Sequence, residues 1–407
     1  MTNRLPRSFR DLAVANLGAQ SAEQLSLAAV PLAAVLALGA GPAEIGLLGA
    51  LQTLPFLLLS IPMGLLADRV SRRRVMIASE ALRALSLLLL LWMVASGAMS
   101  ITGLAVLGFL GALGTVGFTV AAPALVPALV PRELHARANG RLELARSAAY
   151  AGGPALAGAL GAWAGASTAF VLATLLAAAA VALLWRVSEP PRAPAVPRHA
   201  LLEIRDGAHF VWRDALLRPI LLTGIAWNLA WFVLQAAYVP YALGALGLSA
   251  QAVGLTLGCY GAGMVVGALC APRVVGALRF GQAIQLGPAV SVVAASAMVS
   301  TLFVPSGILA GVSFFLFGAG PIIWTITTTT LRQGITPGAM LGRVGSVFLT
   351  VNAGAGPVGA GIGAVVGGLW GEPACLWLAL AGFVLQAWVI LASSMNGLHR
   401  VPELRTE

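Results

Sequence analysis

The stretch Gly64-Leu-Leu-Ala-Asp68-Arg69-Val-Ser-Arg72-Arg73-Arg74 separates two long apolar segments of the chain. It has the chemistry of a tight turn between helices: an acid that can accept hydrogen bonds from a neighbouring helix N-terminus, then arginines suited to lipid headgroups. The flanking segments, 43–66 and 75–96, are each long enough to cross a bilayer, which takes about 20 mainly apolar residues. The stretch therefore predicts a short loop between two membrane-spanning helices.

The composition of the whole chain points to a membrane protein. Its 407 residues are 59% hydrophobic and only 9% charged. The mean hydropathy of +0.92 is far above that of a soluble domain with a polar surface. The charged opening of the chain runs directly into a long apolar segment without an Ala-x-Ala cleavage pattern. We therefore expect an uncleaved first helix.

Composition also argues against several functional classes. All 24 basic residues are Arg, so a GxxxxGK[ST] phosphate loop cannot exist and this polypeptide alone cannot pump with ATP. Cys259, Cys270 and Cys375 stand singly in apolar segments, and the four His fall in predicted loops or the tail. We therefore predict no disulfide framework, no metal site and no cofactor. No predicted span pairs a nucleophile with a base, so we do not expect an enzyme.

Twelve segments are long and apolar enough to span a bilayer, with Gly, Pro or charged residues at the breaks between them. The predicted spans are 12–38, 43–66, 75–96, 101–128, 139–163, 166–186, 217–243, 250–271, 282–304, 307–331, 342–369 and 373–394. The fold class that follows is an all-α integral membrane protein.

The arginines predict the orientation of these spans. With the N-terminus placed in the cytoplasm, every Arg falls on the cytoplasmic side or within about two turns of it. The external loops and adjoining helix ends then carry only Glu44 and Glu372. The net charge of +10 thus orients the chain against anionic lipid, and nucleic-acid binding is not expected. Both termini should be cytoplasmic.

A Pro-rich and Arg-rich interruption divides six spans from six. We predict an N-terminal six-helix bundle over 1–187, a cytoplasmic linker over 188–216, and a C-terminal six-helix bundle with a cytoplasmic tail over 217–407. Within the linker, Leu201 to Arg213 can form an interfacial helix.

An internal repeat supports that division. Ala43-Glu-Ile-Gly-Leu47 after the first span resembles Ala252-Val-Gly-Leu255 after the seventh. Gly153-Pro154-x-x-Ala157-Gly158 in span five likewise matches Gly356-Pro357-x-x-Ala360-Gly361 in span eleven. Both repeats run in the same direction, which predicts two parallel halves related by an axis along the membrane normal.

The loop quoted first resembles the major facilitator signature G-x-x-x-D-R-x-G-R-R, with Ser71 in place of the second glycine. The resemblance implies the major facilitator fold and a gating role for this loop, which locks the cytoplasmic face of family members in one state. The residues carried over are Gly64, Asp68, Arg69, Arg72 and Arg73. The alternative is a simple positive anchor at the headgroups.

Span five carries Ala149-Tyr-Ala-Gly-Gly153-Pro154-Ala-Leu-Ala-Gly158, similar to the G-x-x-x-G-P-x-x-G-G pattern of exporters in that superfamily. Ala149 and Ala157 replace two of its glycines. Together with 129–139 and 144–147, the segment resembles the twelve-span drug effluxers that include macrolide and enterobactin exporters. Gly153, Pro154 and Gly158 are the matched positions, and a plain packing seam is the alternative reading.

Polar and aromatic residues recur at helical spacing in spans one and seven. Polar side chains in a span are costly and should face a cavity. In the superfamily these two spans line the substrate path, which implies an amphipathic cavity. The predicted cavity residues are Asn16, Gln20, Gln24, Trp227, Asn228, Trp231, Gln235, Tyr238 and Asn352. The threonines Thr325 and Thr327 to Thr330, by contrast, should bond to their own helix.

Three acids are candidates for coupling transport to protons. Glu23 lies about 11 residues into its helix, on the order of 17 Å deep, where an unpaired carboxylate should bind a proton readily. It could instead stay neutral and never cycle. Glu80 with Arg83, and Glu143 with Arg146, are i,i+3 pairs near the cytoplasmic face. We interpret these pairs as gate or structural ion pairs. The alternative is that they bind the transported proton or the substrate.

The sequence thus predicts a secondary transporter that exports a small amphipathic molecule, drug-like, macrolide-like or siderophore-like, in exchange for protons. Its partners would be the substrate, protons and the lipid bilayer, and we expect a monomer in a bacterial inner membrane. An importer of a nutrient or a lysolipid carrier is the alternative of the same fold. A non-transporting membrane sensor is the alternative of another class.

Overall fold

The computed structural model describes residues 5–131, 135–190, 200–337 and 340–398. Within these ranges, the side chains of some helical residues lie outside the description, among them Asp68 and Arg69 of the predicted gating loop, and so does its Gly64. Parts of the predicted linker and tail, 191–199 and 399–407, also lie outside the described residues.

The described chain folds into twelve α-helices and no strands, followed by a short 3-10 helix over Ser394–Gly397. The helices are α1 (Arg7–Leu38), α2 (Pro42–Arg69), α3 (Arg72–Ala95), α4 (Ile101–Leu129), α5 (His135–Ala164), α6 (Ala166–Leu184), α7 (Ala200–Arg213), α8 (Leu217–Gly244), α9 (Ala250–Ala277), α10 (Phe280–Ser300), α11 (Gly307–Ile335) and α12 (Leu341–Leu391). The predicted all-α class is confirmed.

Ten helices in the described ranges are long and apolar enough to cross a membrane. They are all except α5 and α7. The amino-terminal half of α5 carries several charges and its other half is rich in Gly and Ala, while α7 is a 14-residue amphipathic helix. Large apolar side chains face outward, as a lipid-exposed surface requires, including Phe303, Leu269, Ile308, Trp163 and Trp370.

The longest helix, α12, contains the break that the sequence predicts between its last two spans. Gly371 has φ 80° and ψ 179°, a conformation open to glycine, and Pro373 follows two residues later. The helical geometry is therefore interrupted, and α12 supplies two spans. With α5, the helices account for all twelve predicted spans, and the prediction of a twelve-span membrane protein is confirmed.

The helices pack into two compact units. Unit 1 comprises Met1–Ala40, Leu51–Pro197 and Ser249–Gly258. Its helix contacts include α1 with α5 and α6, and α3 with α4 and α6. A hydrophobic core at one end joins α1, α3, α4 and α6 through residues such as Phe9, Met76, Phe118, Leu125 and Leu184.

Unit 2 comprises Gly41–Ala50, Arg198–Leu248 and Cys259–Glu407. The helix α8 packs along α12, and α10 packs on α11. A core of residues from α7, α8, α10, α11 and α12 includes Val211, Leu217, Ile284, Leu331 and Ile390. Gly207 of α7 lies against the main chain of Arg343. A helix therefore stands where the linker predicts one; its place at the membrane surface stays a prediction.

In the structure, a copy of one sequence repeat packs against a copy of the other, once in each unit. In unit 1, Gly254 of α9 packs against Pro154 and Gly158 of α5. In unit 2, the equivalent Gly46 of α2 packs against Ala360 of α12. A side chain at either glycine would overlap the main chain of the facing helix. The first turns of α2 and α9 thus belong to the unit whose glycine-rich seam they cover.

We expect substitution of Gly158 by Val to destabilise the protein, because the methyl groups would force the α5–α9 seam apart. Overpacking of a tight contact typically costs about 1–3 kcal/mol. The melting temperature of the purified protein in detergent measures the effect. Gly161→Val is the matched control, since open space surrounds Gly161 on the same helix. Equal losses in the two variants would mean that the seam is not close-packed.

Candidate functional site

A buried arginine lies at the centre of unit 1. Arg83 is the twelfth residue of α3, roughly 16 Å along the helix at 1.5 Å per residue, and it is only 3% exposed. The helix α4 makes room for it through Gly114, which lies against the main chain of Ser79 and the side chain of Arg83. Arg83 therefore lies deeper than the two turns expected from the sequence.

The Arg83 guanidinium joins three helices. Its Nη1 donates to the main-chain oxygen of Ala19 on α1 at 2.8 Å and lies 2.9 Å from Glu80 Oε1 on α3. Its Nη2 donates to Thr115 Oγ1 on α4 at 2.7 Å and lies 4.0 Å from Glu23 Oε2 on α1. We refer to Glu23, Glu80, Arg83 and Thr115 as the charge cluster.

The two carboxylates of the charge cluster differ in exposure. The Glu80 side chain is fully buried, whereas that of Glu23 is 17% exposed. Neither oxygen of Glu80 accepts a hydrogen bond of normal geometry from a described residue, so its contact with Arg83 is a charge contact at close range. Glu23 was expected to be unpaired; instead it lies within ion-pair distance of Arg83. One guanidinium thus faces two carboxylates.

The second predicted pair, Glu143 with Arg146, forms a fork on the surface of α5. Arg146 Nε lies 3.1 Å from both carboxylate oxygens, and its Nη2 donates to Oε1 at 2.5 Å. Both side chains are exposed, by 55% and 40%. The Arg146 guanidinium also lies 5.7 Å from the ring centre of Tyr150. This pair is accessible, unlike the buried pair of α3.

The polar face of α1 divides into buried and accessible positions. Asn16 donates from Nδ2 to the main-chain oxygen of Leu142 on α5 at 3.2 Å and is 5% exposed. Gln24 is equally buried and lies under Gly153. These two predicted cavity residues therefore lie in the α1–α5 contact, because α5 covers them. Gln20 and Glu23 stay half-buried.

The aromatic face of α8 extends into a ring cluster of unit 2. Trp227 and Trp231 stack with centres 5.3 Å apart and planes 12° apart. Trp231 further contacts Tyr260 at 4.9 Å and Phe317 at 5.4 Å. Tyr238, which was predicted to line the cavity, is fully buried and meets an edge of Phe314. Of the five cavity residues predicted on α8, three stay half-buried: Trp227, Asn228 and Gln235.

Several polar atoms of α8 and α12 are buried without a hydrogen-bond partner among the described residues. They are Thr223 Oγ1, Trp227 Nε1 and Asn352 Oδ1. Asn352 lies directly against Gly224. Asn228, one turn after Gly224 on α8, donates to the Gly224 main-chain oxygen at 2.9 Å. Thr223 lies one turn before Trp227 on the same helix and was not among the cavity residues predicted from the sequence. These atoms give unit 2 unused hydrogen-bonding capacity.

Arg72 and Arg73 of the predicted gating loop bind main-chain oxygens. Arg72 Nη1 donates to the main-chain oxygen of Ala124, five residues before the end of α4, at 2.5 Å. Arg73 donates to Leu184 and Trp185 at the end of α6, at 3.1 and 2.9 Å, and its guanidinium lies over the Trp185 ring. A cation at a helix C-terminus is favoured by the helix dipole. These contacts tie α3 to α4 and α6.

The N-terminus of α3 is capped by Glu189, which was not among the site residues predicted from the sequence. Glu189 accepts hydrogen bonds from the main-chain N–H of Arg72 and Arg73, both at 3.1 Å, and from the Ser71 hydroxyl at 2.5 Å. Ser71 itself accepts from Arg74 N at 3.2 Å. The residue that departs from the superfamily signature is thus an N-cap. The acid directly after span six was the available signal.

The span-five motif lies at two helix contacts. Gly153 packs on Gln24 of α1, and Gly158 packs on Gly254 of α9, with Pro154 between them inside α5. This placement is what the packing interpretation predicts.

In α11, Thr325, Thr327, Thr328 and Thr330 each donate to the main-chain oxygen four residues earlier. The predicted back-bonding of the threonine run is confirmed.

The three cysteines are free thiols. Among the described residues, no three His, Cys, Asp or Glu side chains are grouped as a metal ion would require.

An all-helical, multi-pass chain with a parallel internal repeat and buried charges inside its spans has the architecture of a secondary membrane transporter. The chain belongs to the Major Facilitator Superfamily, whose sequence model matches residues 12–360. It is 29% identical over 258 residues to the uncharacterized MFS-type transporter y4rN of Sinorhizobium fredii (strain NBRC 101917 / NGR234). That match covers 61% of this chain and 63% of the relative's length.

Solved structures share the fold over almost the whole chain. A bacterial homologue of the iron transporter ferroportin aligns over 96% of this chain and 99% of its own, with a TM-score of 0.76 and 18% identity. The nucleoside transporter NupG aligns over 96% and 100%, with a TM-score of 0.74 and 11% identity. At these identities the likeness shows the fold, and it says nothing about the cargo.

We expect Glu189→Ala to lower the stability of the protein, because the N-terminus of α3 loses three hydrogen bonds to one carboxylate. A hydrogen bond to a charged group contributes about 1.5–3 kcal/mol, so the loss should be visible as a lower melting temperature. Glu189→Gln keeps an acceptor at the same place and should fall in between. A melting temperature of Glu189→Ala equal to that of the wild type would contradict the cap.

The charge cluster predicts an order of stabilities. Arg83→Met leaves two buried carboxyls without a cation and should cost about 3–5 kcal/mol, the usual penalty for breaking a buried ion pair. Glu80→Gln should cost less, because Glu23 still balances the Arg83 charge. Thermal melting in detergent at neutral pH compares the two. If Glu80→Gln were the more damaging variant, Glu23 would not be an ion-pair partner of Arg83.

Proposed function

We propose that the chain is a secondary active exporter that moves a small amphipathic organic molecule out of the cytoplasm in exchange for protons. It would work by alternating access, in a bacterial inner membrane with both termini in the cytoplasm. The observation that carries the proposal is the charge cluster, a buried arginine facing two carboxylates deep inside unit 1.

Buried ionisable groups support proton coupling. Each costs free energy within a membrane span, and such groups generally mark substrate or proton pathways. Glu23 combines burial with partial exposure, so a proton can reach it. No described residue gives the oxygens of Glu80 a well-aligned hydrogen bond, so the ionised form of this carboxyl is poorly stabilised there. Glu143, exposed in its fork with Arg146, is a weaker candidate.

The α8 surface supports an amphipathic substrate. Trp227 offers a half-buried ring stacked on Trp231, and a ring face of this kind suits flat apolar or cationic groups. Trp227 Nε1, Thr223 Oγ1 and Asn352 Oδ1 add unused polar capacity nearby on α8 and α12. A mostly apolar lining with a few polar groups is typical of sites for small organic molecules.

Export is supported by the resemblance of the span-five segment to superfamily exporters. The solved structures of this fold do not favour one cargo, since they include a homologue of an iron transporter, a nucleoside transporter and a transporter in complex with 5-aminolevulinic acid. The relative y4rN is an uncharacterized MFS-type transporter and therefore indicates no cargo. An importer or a lysolipid carrier is the other outcome of a flux measurement, and the direction of flux in inverted membrane vesicles separates it from an exporter.

The proposal is tested in proteoliposomes that contain a pH-sensitive dye. Cationic and neutral amphipathic drugs are added outside, and proton movement is recorded for the wild type, Glu23→Gln and Glu372→Gln. We expect a substrate-dependent pH change in the wild type that is lost in Glu23→Gln. It should persist in Glu372→Gln, which removes an acid from a predicted external loop.

Drug binding is followed in parallel by the quenching of tryptophan fluorescence. Binding without any proton movement in the wild type would overturn proton exchange and favour a uniporter or another coupling ion. Proton movement that survives in Glu23→Gln would move the coupling group to Glu80 or Glu143. Absence of both binding and flux for every compound would favour the non-transporting sensor.

A further inference from the structure

The charge balance of the cluster leads to a specific number of protons. Two carboxylates, Glu23 and Glu80, face one guanidinium, Arg83, at 4.0 and 2.9 Å. With both carboxylates ionised the cluster would carry one net negative charge inside a membrane span, where uncompensated charge is costly. With one proton bound it is neutral.

We propose that Glu23 and Glu80 share a single proton and that Arg83 fixes the number at one. The proton belongs to the pair, because strongly interacting acids titrate as a unit. Arg83 pairs with whichever carboxylate is ionised, and the other carboxyl stays neutral. This inference rests on the proposed proton exchange and deepens it by naming the number of protons that the charge cluster holds, and it assigns Glu80 a role as an internal proton site.

The contacts of Arg83 suit this role. Its hydrogen bonds to the Ala19 main-chain oxygen on α1 and to Thr115 Oγ1 on α4 hold the guanidinium between the two acids. Ala19 lies one turn before Glu23 on the same helix. Modest side-chain shifts therefore bring Arg83 closer to one acid or the other without loss of both anchoring bonds.

The exposures of the two acids suggest a direction for the proton. Glu23 is partly exposed and can exchange a proton with water, whereas Glu80 is fully buried and reaches solvent only through its partners. Both oxygens of Glu80 are buried without a well-aligned donor among the described residues. A carboxyl that alternates between ionised and neutral states fits such a place better than a permanent ion pair, which would be expected to have aligned hydrogen bonds.

Other charged groups near the cluster lie on α5. Arg146 acts electrostatically on Glu23, and Tyr150 is a neighbour of both. Arg146 is exposed and forms the bidentate fork with Glu143, so its charge is largely balanced on its own helix. On α3 and α4, the described polar partners of the Arg83 guanidinium are Glu80 and the neutral Thr115.

The proton number is measured by infrared spectroscopy of the purified protein at neutral pH. Exposed carboxyls are ionised there, so the carbonyl stretch of protonated carboxylic acid reports buried ones. Relative to the wild type, we expect the equivalent of one protonated carboxyl to be lost in Glu23→Gln and in Glu80→Gln, because each then forms a neutral pair with Arg83. Arg83→Met should gain one.

Three results would overturn the inference: a signal unchanged in Glu80→Gln, a signal unchanged in Arg83→Met, or a signal raised in the double variant Glu143→Gln/Arg146→Gln. The last would mean that Arg146 balances Glu23. Because Arg83→Met is expected to destabilise the protein, Glu80→Gln alone keeps the inference falsifiable. A count of one without any flux would sink the proposed function only, and flux with another count would sink this inference only.

Discussion

Helices in hydrocarbon gain little from burying apolar side chains against each other, because the surrounding lipid is equally apolar. Their association rests on close main-chain packing and on polar contacts between helices. This constraint accounts for the two features that organise each unit. Glycine seams such as Gly158 on Gly254 bring main chains together, and a few charged side chains join helices through hydrogen bonds.

In unit 1, charged side chains join helices at two positions along α3. Near one end of unit 1, Arg72 binds a carbonyl group in the last two turns of α4, and Arg73 binds the carbonyl groups at the end of α6. Glu189 caps the helix that begins with these two arginines. Deeper in the same helix, Arg83 binds α1 and α4. The helix α3 therefore carries a polar contact at its start and another at its middle. A single helix thus connects the loop that resembles the superfamily signature with the buried acids.

The sequence predicts the spans well, because hydrophobic length and breaks such as Gly371 are local properties. The back-bonding of Thr327 and Thr328 is equally local and was predictable. The proximity of Glu23 to Arg83 was not, because it depends on the register between α1 and α3, which no spacing within either helix contains. For the same reason the burial of Asn16 and Gln24 was missed: they share a helical face with Gln20, and only the position of α5 separates them.

Each glycine seam pairs a helix of the first half of the chain with a helix of the second half, and this pairing affects how the protein folds during synthesis. Gly46 is synthesised early, but its partner Ala360 emerges about 300 residues later, an interval on the order of 15–60 s at roughly 5–20 residues per second. The seam on α5 likewise waits for α9. Two glycine-rich surfaces therefore lie open in the membrane while the second half is translated. The nascent first half is a natural client for membrane chaperones, and halves expressed as separate polypeptides should find each other through these same surfaces.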